Sequence, residues 1–112
     1  MKFVETTIDH IPVIALEGRL DSAAAARCEA YLLEKAGDGR ATLILDLEKV
    51  DYASGAGLRS LILAARMAHS RRIAFHVCSP RGQVAEMIEL GELAAELNSR
   101  PDVDSAIRGL ST

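Results

Sequence analysis

The sequence is poor in aromatic residues and in cysteine, and both shortages limit what the chain can be. Aromatic side chains make up 4% of the 112 residues and tryptophan is absent, so a folded core has to be built from Leu, Ile, Val and Ala. The two cysteines, Cys28 and Cys78, are too few for a disulfide framework, and we expect reduced core thiols. Reduced thiols suit a cytoplasmic location, which is therefore the expected one.

The sequence also lacks a long apolar run and an excess of basic charge. Arginines interrupt the longest Ala/Leu stretches, and residues 1–5 lack the apolar run of a signal peptide, so direct membrane insertion is not expected. The net charge is −3, and the one basic cluster, at residues 66–72, is too small for a nucleic-acid footprint. Such a cluster is more typical of a solvated helix end, where cations suit the helix dipole.

Strand-like and helix-like patterns alternate along the whole chain. Strand formers on both sides of Asp9-His10 predict an opening hairpin. Asp, Ser or Pro at the start of each helical segment provides the capping signal. The predicted strands cover residues 3–8, 11–16, 42–47 and 72–78. The predicted helices run from Ser22 to Ala36, from Ser54 to about Ser70, from Pro80 to Gly91 and from Asp102 to Leu110.

This order, β-β-α-β-α-β-α-α, predicts a single α/β domain over residues 1–112. Strand–helix–strand connections favour parallel neighbours, and the hairpin adds an antiparallel pair, so the sheet should be mixed, with helices packed on it. Within the third strand, Ile44 should face away from Leu43, Leu45 and Leu47. The buried stripe of the second helix should be formed by Leu58, Leu61, Ile62 and Ala65.

The opposite side of the second helix carries apolar residues as well. Leu63 and Met67 lie one turn apart on the predicted solvent side, with Arg59 and Arg66 beside them. Apolar residues on a solvent face indicate either a contact surface or ordinary surface Leu and Met, and the sequence favours neither interpretation over the other.

The segment from Leu43 to Arg72 carries the most informative pattern. A buried strand has Asp46 near its end, a short loop contains residues 50–52, and Ser54-Gly55-Ala56-Gly57-Leu58 opens a helix. This pattern resembles the signature of STAS domains, the family that includes bacterial anti-sigma factor antagonists. Three further segments match the family's pattern and extend the resemblance over nearly the whole chain: residues 18–21, 79–91 and 104–107.

The resemblance implies a protein-binding module without a cofactor or a metal, and not an enzyme. Members of this kind bind an anti-sigma factor that is also a serine kinase, and so free a sigma factor. A cognate phosphatase is a further partner class. The positions implied in partner binding are Asp21, Ser54, Gly55, Ala56, Gly57, Arg59, Leu63, Arg66 and Met67.

The sequence departs from the family pattern at the position of the phosphorylated serine. Aligning Gly57-Leu58 with the family's Gly-Leu places Gly55 there, and glycine has no hydroxyl. Ser54 is a weak substitute, because it is displaced by one residue and is more simply explained as a helix N-cap. Gly55 and Gly57 are also explained without any switch if the loop passes close to a neighbouring element.

Other interpretations have less support in the sequence. Asp46 and Asp51 are better explained as loop-capping carboxylates than as phospho-acceptors. The three histidines have no ligand spacing with one another or with the cysteines, and residues 54–57 lack the Lys-Ser/Thr of a phosphate loop. The alternative function within the same fold is a STAS subunit of a lipid or anion transport complex.

Overall fold

The computed structural model describes residues 1–110, and its elements follow the predicted order. Within those residues the strands are β1 (Lys2–Ile8), β2 (Ile11–Leu20), β3 (Thr42–Ala53) and β4 (Ala74–Cys78). The helices are α1 (Ser22–Ala36), α2 (Gly55–Ser70), α3 (Gly82–Leu90) and α4 (Val103–Gly109).

The four strands form one mixed sheet in the order β1-β2-β3-β4. β1 pairs antiparallel with β2, whereas β2, β3 and β4 run parallel. Asp9 and His10 form the hairpin turn, with φ angles of 51° and 67°. Positive φ at both central residues matches the twist of the flanking strands. The predicted α/β architecture with an opening hairpin is therefore confirmed.

Two strands are longer than predicted. β2 continues beyond residue 16 to Leu20, and β3 continues through residues 48–53 to Ala53. The segment that we predicted as a loop, residues 50–52, is thus strand. The parallel pairing of β2 with β3 shifts register between Ala15 and Glu17 and again after Gly18. These irregularities break the alternation of apolar and polar residues, which is why the pattern did not show the full strand.

The start of the third helix was also predicted wrongly. Pro80 is not its first residue, because α3 begins at Gly82. Ser79 has a φ of 57° and its N–H donates to Arg100 O at 3.1 Å, so the chain turns away from β4 before the helix can start. β4 itself begins at Ala74 instead of residue 72, since Arg72 has a φ of 58°, outside the strand region.

The sheet has two unequal faces. On one face α1, α2 and α3 pack over the main core, which contains Leu43, Leu45 and Leu47 of β3. The other face carries Ile44 and is packed against α4. The predicted division of β3 is therefore confirmed. Within residues 1–110, each helix is too short or too polar to cross a membrane.

Candidate functional site

The carboxyl ends of the three parallel strands lie at one edge of the sheet, and the motif residues lie there. β2 leads through Asp21 into α1, and β3 leads through Ser54 into α2. Leu20 and Ala53 are register partners, so the starts of these two helices are neighbours. Helix starts present unpaired backbone N–H groups and partial positive charge. The fold thus places Asp21 and Ser54, two of the positions implied in partner binding, next to neighbouring strand residues.

Ser54 is the N-cap of α2. Its Oγ accepts a hydrogen bond from the N–H of Gly57 at 3.0 Å, and its own N–H donates to Leu20 O at 3.0 Å. The capping interpretation of Ser54 is therefore confirmed. Because the hydroxyl is already held by the helix, the side chain is not directed freely toward solvent.

The two motif glycines have different surroundings. A Cβ on Gly57 would collide with the carbonyl oxygen of Leu20 and lie 2.8 Å from Leu20 Cγ. The close-approach explanation is thus confirmed for Gly57. It is wrong for Gly55, where an added Cβ would meet no other part of the described chain within 4 Å. Gly55 and the next residue, Ala56, are exposed, so a side chain at position 55 would project into solvent.

An arginine–tyrosine pair that was not predicted from the sequence lies at the ends of β2 and β3, next to the start of α1. Asp21 caps α1, with Oδ1 accepting from Ala24 N–H at 3.0 Å, and its Oδ2 lies 3.9 Å from Arg19 Nε. The Arg19 guanidinium lies over the Tyr52 ring, 4.3 Å from its centre. Arg19 and Tyr52 face each other because they are register partners in β2 and β3. The available sequence signal for this pair was that Arg19 and Tyr52 lie within the motif segments 18–21 and 50–52.

The outer face of α2 is more covered than predicted. Arg59 and Arg66 are exposed, and Arg66 pairs with Glu96 at 3.0 Å. Leu63 and Met67 are half-buried, not open to solvent. Met67 packs against the main core, so its assignment to the solvent side is wrong. Leu63 packs against neither described core cluster.

A second residue missed by the sequence analysis lies behind Ser54. The side-chain amide of Gln83, in the first turn of α3, bonds to both backbone polar groups of Ala53. Gln83 and Ala53 are separated by 30 residues, and a lone glutamine in a helix gives no local signal of such a contact.

The remaining titratable groups near the sheet serve the fold. Asp46 and Asp51 both lie within β3, so the prediction that they cap a loop is wrong; Asp46 Oδ1 accepts from Glu48 N–H at 3.0 Å, and Asp51 is exposed. Burial raises the pKa of the Cys78 thiol to about 12, with the nearby Asp46 charge adding to the effect, so this thiol is protonated at neutral pH.

The arrangement at the helix starts offers exposed backbone and arginines, which suits binding to another protein.

The chain is similar to known proteins over most of its length. The sequence profile of the STAS domain family matches residues 2–106. BtrV of Bordetella bronchiseptica, by its name a candidate anti-sigma factor antagonist, is 32% identical over 90 residues, covering 80% of this chain and 78% of BtrV.

Two solved structures illustrate the fold. An anti-sigma factor antagonist from Mycobacterium paratuberculosis has a TM-score of 0.84 at 20% identity, covering 99% of this chain and 94% of that protein. A sulfate transporter family protein from Wolinella succinogenes has a TM-score of 0.73 at 13% identity, covering 88% and 83%. At these identities the structures show the fold alone, whereas the profile spans nearly all of the sequence: the chain belongs to the STAS domain family.

Proposed function

We propose that this chain is an anti-sigma factor antagonist, which works by binding and not by catalysis. The observation that carries the proposal is the 32% identity to BtrV over 80% of the chain. The exposed start of α2 gives the proposal a location, because the family motif of residues 54–58 forms it. Binding there would capture an anti-sigma factor and free the sigma factor.

The partner in this proposal is a cytoplasmic anti-sigma factor with the histidine-kinase-like ATPase fold, as the family resemblance implies. The docking surface would combine the start of α1 with the start and outer face of α2. Arg59 and Arg66 are exposed there, and Leu63 is half-buried without packing against either core cluster, so an apolar contact flanked by charge is available. The residues assigned to it are Asp21, Ser54, Gly55, Ala56, Arg59, Leu63 and Arg66, whereas Gly57 is buried and Met67 packs against the main core.

The proposal includes the absence of the usual phosphorylation switch. A phosphate at this helix start would add nearly two negative charges to a surface that loses water on docking. Gly55 offers no acceptor, and the hydroxyl of Ser54 is engaged with Gly57 N–H at 3.0 Å. Phosphoryl transfer needs the acceptor in line with the leaving group, which a one-residue displacement disturbs. The chain would therefore stay permanently competent to bind.

The experiment is to incubate the parent, Gly55→Ser and Gly55→Ala with ATP and each purified anti-sigma factor kinase encoded in the source genome. We expect phosphate on Gly55→Ser alone, since the open space around position 55 accommodates a serine. Gly55→Ala controls for the added side chain. Phosphate mapped to Ser54 of the parent would refute the constitutive state, and a parent that binds none of these kinases would refute the proposed partner.

A second candidate is a STAS subunit of a lipid or anion transport complex. The structural likeness to the sulfate transporter family protein of Wolinella succinogenes favours considering it, although the likeness covers the fold alone. Binding to a purified transporter ATPase or permease domain, together with failure to bind any anti-sigma factor, would support this candidate over the first.

A further inference from the structure

The amide of Gln83 continues the sheet where β4 ends. The pairing of β4 with β3 runs as far as Cys78 opposite Asp46. Beyond it, Gln83 Oε1 accepts from Ala53 N–H at 2.9 Å and Gln83 Nε2 donates to Ala53 O at 2.8 Å. A primary amide carries the same donor and acceptor as a peptide group, so Gln83 takes the place of a strand residue beside Ala53.

This contact acts on the residue that directly precedes the N-cap of α2. Ala53 is fully buried, so its N–H and C=O need partners within the protein. On the other side, Ser54 N–H bonds to Leu20 O at 3.0 Å. Hydrogen bonds therefore fix the strand-to-helix joint from β2 on one side and from α3 on the other. The bonds from α3 depend on a single side chain, that of Gln83.

We infer that Gln83 is a positioning residue of the docking site: it fixes the Ala53–Ser54 joint, and through it the orientation of the α2 start that the partner contacts. The inference rests on the proposed function. Gln83 is half-buried behind the joint, and both the oxygen and the nitrogen of its side-chain amide are occupied, so it acts through Ser54 and not by touching the partner.

The first test uses the free protein. Gln83→Met keeps the length and bulk of the side chain but removes both hydrogen bonds to Ala53, together with the bond from Nε2 to Met87 Sδ. Backbone amides at Ala53, Ser54 and Gly57 should therefore exchange their hydrogens at least about tenfold faster. Ile88→Val is the matched control, since it removes a buried methyl group from the same helix without touching the joint. Unchanged exchange at these three amides would overturn the inference whatever the partner is.

The second test measures affinity for the purified anti-sigma factor that binds the parent. Gln83→Met should bind about tenfold or more weakly, the scale of one or two lost hydrogen bonds, whereas Ile88→Val should bind like the parent at similar loss of thermal stability. Equal affinity of Gln83→Met and the parent would overturn the positioning role.

The third test restores the contact by pH. In Gln83→Glu at neutral pH, a carboxylate oxygen would face Ala53 O, because the amide nitrogen now lies 2.8 Å from it. A neutral carboxyl group again has one donor and one acceptor. Burial beside Ala53 O should raise the pKa of the carboxyl group in Gln83→Glu above its ordinary value of about 4.3. The affinity of Gln83→Glu relative to the parent should therefore rise as pH falls from about 7.5 to about 5. If this affinity ratio does not change with pH while the amide exchange rates return to those of the parent, the Ala53–Ser54 joint does not control partner binding.

The outcomes separate the inference from the proposed function. A parent that binds no anti-sigma factor overturns both, since the docking role then has no partner. A parent that binds normally, with Gln83 variants that bind equally well, overturns the inference alone and leaves the proposed function standing.

Discussion

The two faces of the sheet are built differently. One face carries three helices and a core of fully buried residues that includes Leu45, Leu61 and Leu97. The other is covered by α4, whose seven residues bury a small cluster around Ile44 and Ala106. Hydrophobic stabilisation scales with buried apolar area, so most of the stability lies on the three-helix face. The helix that carries the candidate docking site, α2, belongs to that face.

The largest expected effect tests this asymmetry directly. Leu61→Ala removes a fully buried side chain of α2 and should lower the free energy of unfolding by about 2–5 kcal/mol. Ile107→Ala, in half-buried α4, should cost less than about 2 kcal/mol. Urea titration of both variants measures the difference. Equal losses, or a larger loss for Ile107→Ala, would break the comparison between the faces.

A smaller effect is expected from the two glycines at the start of α2. Gly57→Ala drives a methyl group into the Leu20 carbonyl and should cost about 1–3 kcal/mol. Apart from its chain neighbours and the backbone of its own helix, Gly55→Ala meets no described atom within 4 Å, and it gains helix propensity, so it should be neutral or stabilising by less than about 1 kcal/mol. Thermal unfolding of the pair distinguishes them. If Gly57→Ala is as stable as Gly55→Ala, α2 is not pressed against β2 as described.

The sequence predicted the features that depend on local chemistry. The hairpin at Asp9-His10 and the caps at Asp21, Ser54 and Asp102 were all predictable, because a capping side chain bonds to a backbone N–H within its own turn. The order of strands and helices followed from the same kind of signal.

Features that depend on distant neighbours were not predictable. β3 extends through residues 48–51, three of which are charged, because β2 pairs with it across two register shifts, and neither partner's pattern shows this. α3 starts late because Ser79 bonds to Arg100, 21 positions further along the chain. The same applies to the candidate site: Ser54 and Gly57 could be predicted from the motif, whereas the contacts of Gln83 with Ala53 and of Arg19 with Tyr52 require the folded sheet.

The α4 face should respond to pH. His76 is buried there, with Nδ1 3.0 Å from Asn98 O and 3.4 Å from Arg100 Nε. Burial lowers the pKa of His76 below its ordinary value of 6.5, and the Arg100 charge lowers it further. The unfolded chain therefore binds the proton more readily than the folded protein. The stabilising contribution of neutral His76 is complete above about pH 6.5 and is lost as pH falls toward the lowered pKa.

The measurement is the free energy of unfolding against pH for the parent and for His76→Gln. The parent should lose more stability than the variant between about pH 7.5 and about pH 5.5, by less than the Gly57→Ala effect. Subtracting the two curves removes the contribution of the carboxylates. Parallel curves would mean that His76 does not cause the pH dependence of the free energy of unfolding.

A small expected effect on stability at Leu63 comes with the largest expected effect on binding. Leu63 is half-buried on α2 and packs against neither described core cluster, so Leu63→Asp should cost about 1 kcal/mol or less. If this residue anchors the docking surface, a carboxylate at position 63 has to be dehydrated on contact, and affinity for the anti-sigma factor should fall by at least about a hundredfold.

Leu90→Asp is the matched control for that substitution. Leu90 is 83% exposed at the end of α3 that lies farthest from Gln83, so the same change there adds the same charge outside the docking surface. Titration calorimetry should show parent-like affinity for Leu90→Asp and no measurable binding for Leu63→Asp, with both variants folded by circular dichroism. Parent-like binding by Leu63→Asp would remove the outer face of α2 from the docking surface. It would leave the helix start as the contact, because the three-helix face supports that start independently of Leu63.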